Sequence, residues 1–220
     1  MNENREREDE MRYKGIIFDL DGVLCFTDRY HYLAWKEVAD EIGVYFDENI
    51  NNRLRGVSRL DSLDIILERA EHEYSTEEKE ALAEKKNRRY IELLQQMDTS
   101  DLSDEVKETL EELRLKGYKL AVGSSSKNAK LILGRLGLDS FFDAVSDGTN
   151  IIHSKPDPEV FLKAAEYLNL APCECLVVED ALAGIAAAVS GGFDSAGIGE
   201  AATHKNVTYP IQRFRQLLTI

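Results

Sequence analysis

The chain has 220 residues, 43% of them hydrophobic, and a formal net charge of −14 from 27 Lys and Arg against 41 Asp and Glu. That length carries one large domain, or a main domain with a smaller insertion. The acidity sets the chain against nucleic acid and anionic membrane, and no stretch approaches the ~20 apolar residues of a membrane helix. A phosphate could be held only by a local cluster of Lys, Arg, backbone N–H groups or a divalent cation.

The opening MNENREREDEMR has no apolar h-region and is expected to be a solvated, disordered tail over 1–12. Cys25, Cys173 and Cys175 make no disulfide framework and fit a reducing cytoplasm. The apolar run at 15–20 predicts a first strand that leads directly to Asp19 and Asp21. Residues two apart on a strand share a side. Two carboxylates so placed repel, unless a cation sits between them or one keeps its proton. A strand that merely ends in a polar turn is the alternative these residues leave open.

From 28 to 97 no strand pattern occurs. Tyr30, Leu33, Ala34, Val38 and Ile42 mark one helical face, and Leu60, Leu63, Ile66 and Leu67 another. Ser75-Thr-Glu-Glu78 spells a capping box that opens a long, charged helix toward Met97. So much helix exceeds a single crossover and predicts an inserted α-helical domain over 28–97, with ordinary crossover helices as the alternative. Beyond it, strands at 119–123, 144–146, 175–178 and 194–198 alternate with helices at 104–116, 128–136, 159–168 and 181–190. The predicted fold class is α/β, a Rossmann-like parallel sheet core over 13–27 and 98–220 with that insertion.

Polar groups collect at the predicted strand ends. Asp19 and Asp21 follow the first strand, Ser124 the second in LAVGSSSKNAK, and Glu179 and Asp180 end CLVVED. Lys155 lies in HSKPDPEVF, where Asp157 is expected to cap a helix and Pro158 to fill its first turn. In parallel α/β sheets such ends converge on one site. Four carboxylates, a hydroxyl, an ammonium and a helix N-terminus make a metal-plus-phosphate site. A hard cation such as Mg2+ takes carboxylate oxygens and bridges phosphates, and N–H groups near 125–128 favour an anion. Singly, each piece has a plain reading as a helix cap, a surface charge or a dipole partner.

FDLDG, VGSSS, SKPDP and VVEDA, in this order, resemble the four motifs of the haloacid dehalogenase superfamily of aspartate-based phosphotransferases, from Tyr13 to near the C-terminus. RYHYLAWKEVADEIG, RLRGVSRLDSL, EKKNRRY and SSSKNAKLIL narrow the resemblance to its β-phosphoglucomutase branch. The resemblance implies that the helical insertion is a cap. It implies Mg2+ on Asp19, the main-chain carbonyl of Asp21, Glu179 and Asp180. Asp19 would be the nucleophile and Asp21 the general acid/base, with Ser124 and Lys155 on the phosphoryl oxygens. Arg59 would grip the phosphate that is not transferred. Thr27, His31, Trp35, Arg55, Gly56, Val57, Ser62, Lys86, Ser126, Lys127 and Asn128 would belong to the sugar-phosphate site. His31, one turn from Trp35, is by pattern a packing residue; the resemblance makes it a link between cap closure and Asp21. The implied reaction interconverts β-glucose 1-phosphate and glucose 6-phosphate. A sugar-phosphate phosphatase with the same nucleophile is the rival. A cytoplasmic monomer acting on a small sugar phosphate, without nucleic acid or membrane partners, is expected. Phe26 stands where the family often has Asp, Arg55 where Lys is common, and Ala181 where Ser is common.

Overall fold

The computed structural model describes residues 12–54 and 57–220. The expected tail thus lies outside the described residues as far as Met11. Arg12 itself donates to the Asp194 carboxylate at 2.8 Å.

GIIF is buried at all four positions and forms β1 (Gly15–Phe18). Strands β2 (Lys119–Gly123), β3 (Ala144–Ser146), β4 (Cys175–Glu179), β5 (Asp194–Gly197) and β6 (Tyr209–Pro210) follow. Among the described residues they make one six-stranded sheet in the order β3-β2-β1-β4-β5-β6, parallel throughout. Phe18 pairs with Val122 on one side and Val178 on the other. The chain leaves β1 toward β2 and β3, then returns to β4 on the other side. That reversal opens a crevice between the ends of β1 and β4. The ladder of β1 stops at Phe18, two residues sooner than the apolar run predicts, although the Asp19 N–H still donates to Val178 O at 2.9 Å.

Helices α1 (Asp28–Glu41), α2 (Glu48–Asn52), α3 (Arg59–Leu67) and α4 (Thr76–Leu94) come before β2, as does α5 (Asp104–Leu115); α6 (Ala129–Arg135), α7 (Glu159–Leu168) and α8 (Leu182–Ser190) alternate with the later strands. Period-2 alternation sends β1 to both faces. Ile16 and Phe18 join Leu110 and Leu113 of α5 and Ile132 and Leu133 of α6. Ile17 faces Val160, Phe161 and Ala164 of α7 and Ala187 and Ala188 of α8. Helices α1 to α4 bury a separate cluster that includes Trp35, Val38, Phe46, Ile50, Leu63, Ile66 and Ala83.

The capping box at the start of α4 is present: Ser75 Oγ accepts from the Glu78 N–H, and Glu78 accepts from the Ser75 N–H. One cap differs from expectation. Helix α7 begins at Glu159, so Pro158 takes the cap position instead of the first turn, and Asp157 Oδ1 accepts the Glu159 N–H at 2.9 Å. Helix α2 and β6 carry no readable signal because five and two residues are too few for a period. Among the described residues no helix is long and apolar enough to cross a membrane.

Candidate active site

A cleft of about 1310 Å³ separates the carboxyl edge of the sheet from the helical insertion. Its floor is built from strand ends. Asp19 follows β1 and Glu179 is the last residue of β4; both are buried. Lys155 enters from the segment between β3 and α7, and its Nζ donates to Asp19 Oδ1 and Glu179 Oε1, each at 2.5 Å. Burial lowers the Lys155 pKa, but the two carboxylates outweigh it and hold the ammonium well above its ordinary value. Burial raises the Glu179 pKa against the opposing pull of Lys155. The other oxygen of Glu179 accepts the N–H groups of Asp180 and Ala181, each at 2.9 Å. Ala181 therefore contributes a backbone donor that any residue but Pro supplies at that position.

Asp180 is pushed up to about 8 by burial first, then by the charges of Asp19, Glu179 and Asp21. Ligand oxygens of Asp19, Glu179 and Asp180 lie within 4.8 Å of one another. One ammonium does not balance so much negative charge, and all the donors are hard oxygens, so the residues fit a divalent cation. Two glycines leave room for these carboxylates. A Cβ at Gly22 would meet Asp180 Oδ2 at 2.0 Å, where φ of +84° already favours glycine, and a Cβ at Gly184 would meet Glu179 at 1.9 Å.

Asp21 is pushed up to about 6, chiefly by burial and against two hydrogen bonds from Thr27. The Thr27 N–H and Oγ1 each lie 2.7 Å from its carboxylate. Thr27 is fully buried, off the cleft wall, and its hydroxyl accepts from Tyr90 of α4 at 2.9 Å. It thus reaches the cleft only through Asp21. His31 Nε2 stands 3.9 Å from Asp21 Oδ2, and His31 Nδ1 is 2.8 Å from Lys86 Nζ. Burial, then Lys86 and Arg59, hold His31 well below its ordinary pKa. The neutral ring accepts from Lys86 at Nδ1 and carries its proton on Nε2, toward Asp21. Lys86 lies over the rings of Trp35 and Tyr90 at 5.0 and 4.6 Å. Burial, then Arg59, push it down to about 7.

The remaining sequence-predicted residues divide by place. Trp35, Val57, Arg59, Ser62, Ser124, Ser126 and Lys127 line the cleft with those above. Trp35 does so with an edge only, because it is also a buried member of the insertion's own cluster. Arg55 and Gly56 lie outside the described residues. Asn128 is half-buried, and its Nδ2 is bonded at 3.0 Å to Asn87, which lines the cleft. Of the N–H groups at 125–128 expected to face an anion, Ser126 N–H donates to Ser124 Oγ and Asn128 N–H to Ser126 Oγ, each at 3.2 Å.

Sequence reasoning missed Asn87 and Tyr90. A signal was there: on α4 the buried residues Ala83, Lys86, Tyr90 and Leu93 form one stripe, and a lysine inside a buried stripe marks a partner. Phe26, in place of the common Asp, is 76% exposed at the cleft mouth.

A doubly wound sheet whose strand ends gather buried carboxylates around one lysine, beneath a helical insertion, is the architecture of the haloacid dehalogenase-like hydrolases. The chain belongs to that family, which it matches over residues 13–192. Within it the similarity runs to the β-phosphoglucomutases. The chain is 42% identical to β-phosphoglucomutase of Bacillus subtilis over 189 residues, 85% of this chain and 84% of that one. It superposes on the crystal structure of β-phosphoglucomutase from Clostridium difficile with a TM-score of 0.86 at 37% identity, covering 93% of each chain. It is also 34% identical to a phosphorylated-carbohydrate phosphatase of Thermotoga maritima, over 82% of each chain.

Proposed function

We propose that this protein is a β-phosphoglucomutase that interconverts β-D-glucose 1-phosphate and D-glucose 6-phosphate through an aspartyl-phosphate and β-glucose 1,6-bisphosphate. The observation that carries the reading is one cleft lined both by Asp19, Ser124 and Lys155 of the sheet side and by Arg59 and Lys86 of α3 and α4, groups able to take a phosphate on either side. A hexose bisphosphate carries a phosphate at each end and suits that spacing of charge. Similarity to the Bacillus subtilis and Clostridium difficile enzymes supports it. In this reading 13–27 and 98–220 form the core, and 28–97 a cap that keeps water from the aspartyl-phosphate.

The Asp19 carboxylate attacks phosphorus and forms the acyl phosphate. In the forward direction, the C6 hydroxyl of β-glucose 1-phosphate attacks the phosphorus on Asp19. The Asp19 oxygen–phosphorus bond breaks, and Asp21 takes the hydroxyl proton. After the bisphosphate turns round, Asp19 attacks the phosphate on C1, and Asp21 returns the proton to the leaving C1 oxygen. The raised pKa of Asp21, about 6, suits a group that must both take and give. Lys155 and Ser124 hold phosphoryl oxygens and Arg59 the other phosphate. Mg2+ held by Asp19, the Asp21 carbonyl, Glu179 and Asp180 would offset charge as phosphoryl and carboxylate approach. The free thiols of Cys25, Cys173 and Cys175 support a reducing, cytoplasmic setting.

The test is product identity from β-glucose 1-phosphate, with Mg2+ and a trace of the 1,6-bisphosphate. Glucose 6-phosphate is expected, and chelation should abolish its formation. Rapid free phosphate without the isomer would replace the mutase reading with the phosphatase one.

A further inference from the structure

Asn87 sits one residue past Lys86 on α4, half-buried on the cleft wall. Its side chain joins donors from the two sides of the cleft. Arg59 Nη2, from the first residue of α3, reaches Asn87 Oδ1 at 2.8 Å. Asn128 Nδ2, from the cap position of α6, reaches the same oxygen at 3.0 Å. A guanidinium only donates, so the amide atom facing it is the oxygen, and Asn128 must then turn its NH2 group inward. Both lone pairs of that oxygen are used. Two donors on one acceptor stand no farther apart than the sum of the two bonds, and neighbouring oxygens of one phosphate bridge such a gap.

Arg59 is otherwise poorly matched. Its Nη1 lies 3.9 Å from Glu84, which is half-exposed at the helix surface. Burial lowers the Arg59 pKa and Glu84 opposes this only in part. A neutral amide oxygen is a weaker counterpart for a guanidinium than a phosphate oxygen.

We propose that Asn87 is a positioning residue: its amide oxygen holds Arg59 of the insertion and Asn128 of the core at the spacing of a single phosphate, and yields both donors to the non-transferring phosphate of the substrate. This rests on the mutase reading of the same cleft and adds the element that sets its second phosphate subsite. The chemistry calls for an acceptor without charge. A carboxylate at 87 would keep Arg59 in an ion pair and repel the phosphate.

The test compares β-glucose 1-phosphate with p-nitrophenyl phosphate, which carries no second phosphate. Losing one hydrogen-bonded guide for a charged group predicts a KM for β-glucose 1-phosphate raised ~10-fold in Asn87→Ala, with a smaller change in kcat. The effect on kcat/KM should be at least ~5-fold larger than with p-nitrophenyl phosphate. Asn87→Asp should raise KM further, and added salt should narrow the difference. Equal losses on the two substrates, or Asn87→Asp binding sugar phosphate as well as wild type, would overturn the proposal. Should Asn87→Ala not fold, Asn87→Asp, which keeps an acceptor, decides alone. If wild type yields only free phosphate, the mutase reading fails, and the same comparison using hydrolysis of the hexose 1,6-bisphosphate still decides the role of Asn87.

Discussion

The floor and roof of the cleft differ in almost every physical respect. The floor is acidic, with Asp19 and Glu179 at the ends of buried strands and both bonded at 2.5 Å to Lys155 from the segment before α7. The roof is cationic: Lys86 is met by the neutral His31, and Arg59 by the neutral Asn87, with the Glu84 carboxylate only at 3.9 Å. On the floor Lys155 meets Asp19 and Glu179 but leaves an excess of negative charge for a cation. Charges on the roof are left for a ligand to match. The difference teaches how a chain of net charge −14 can take a doubly phosphorylated sugar. The acidic floor becomes receptive through a cation, and the roof carries its own positive charge.

The comparison breaks most severely at the floor. Asp19→Asn removes the nucleophile while keeping the shape, and turnover should fall ~10³-fold or more. Phosphoenzyme trapping in the same variant should give no label; persistent label on the protein would place the chemistry elsewhere. On the roof, Arg59→Ala should raise KM for β-glucose 1-phosphate ~10- to 100-fold, the range for a lost charge-assisted pair. Steady-state kinetics with unchanged KM would remove the second phosphate subsite.

Lys86 sharpens the contrast through pH. Its folded pKa, about 7, lies below the ordinary 10.5 because burial opposes its charge. Between those values the unfolded chain binds more protons, so this group makes stability rise with pH across the window. Lys86→Met should flatten that rise in thermal midpoints measured from pH 7 to 10, even as activity falls. An unaltered slope would mean that Lys86 is fully charged in the folded protein. The smallest effect belongs to the capping box, far from both surfaces. Ser75→Ala should cost ~1 kcal/mol of stability by denaturant titration and leave kcat unchanged.

Much of the fold was legible because its elements obey local rules. Apolar runs of four or five residues mark β1, β2 and β4, and Ser75 with Glu78 marks the start of α4. Helix α2 and β6 are too short for periodicity to register. In the candidate site, the strand-end acids, Ser124 and Lys155 were visible because parallel sheets bring such ends together. Thr27 was visible as a residue but not in its place, behind Asp21. Asn87 was visible only inside a quoted motif, since nothing local tells a helical Asn that donors will arrive from residues 59 and 128.

The sequence alone determined the alternation of strand and helix, the long helical interval, and the supply of carboxylates at strand ends with one lysine in a loop, because periodicity and capping act over a few neighbouring residues. Tertiary structure alone decided that Lys155 bridges Asp19 and Glu179, that Asp21 and Lys86 leave their ordinary pKa values in opposite directions, and that Asn87 joins the two sides of the cleft. Those depend on burial and on charges brought together from distant parts of the chain, and no local pattern encodes the distance between them.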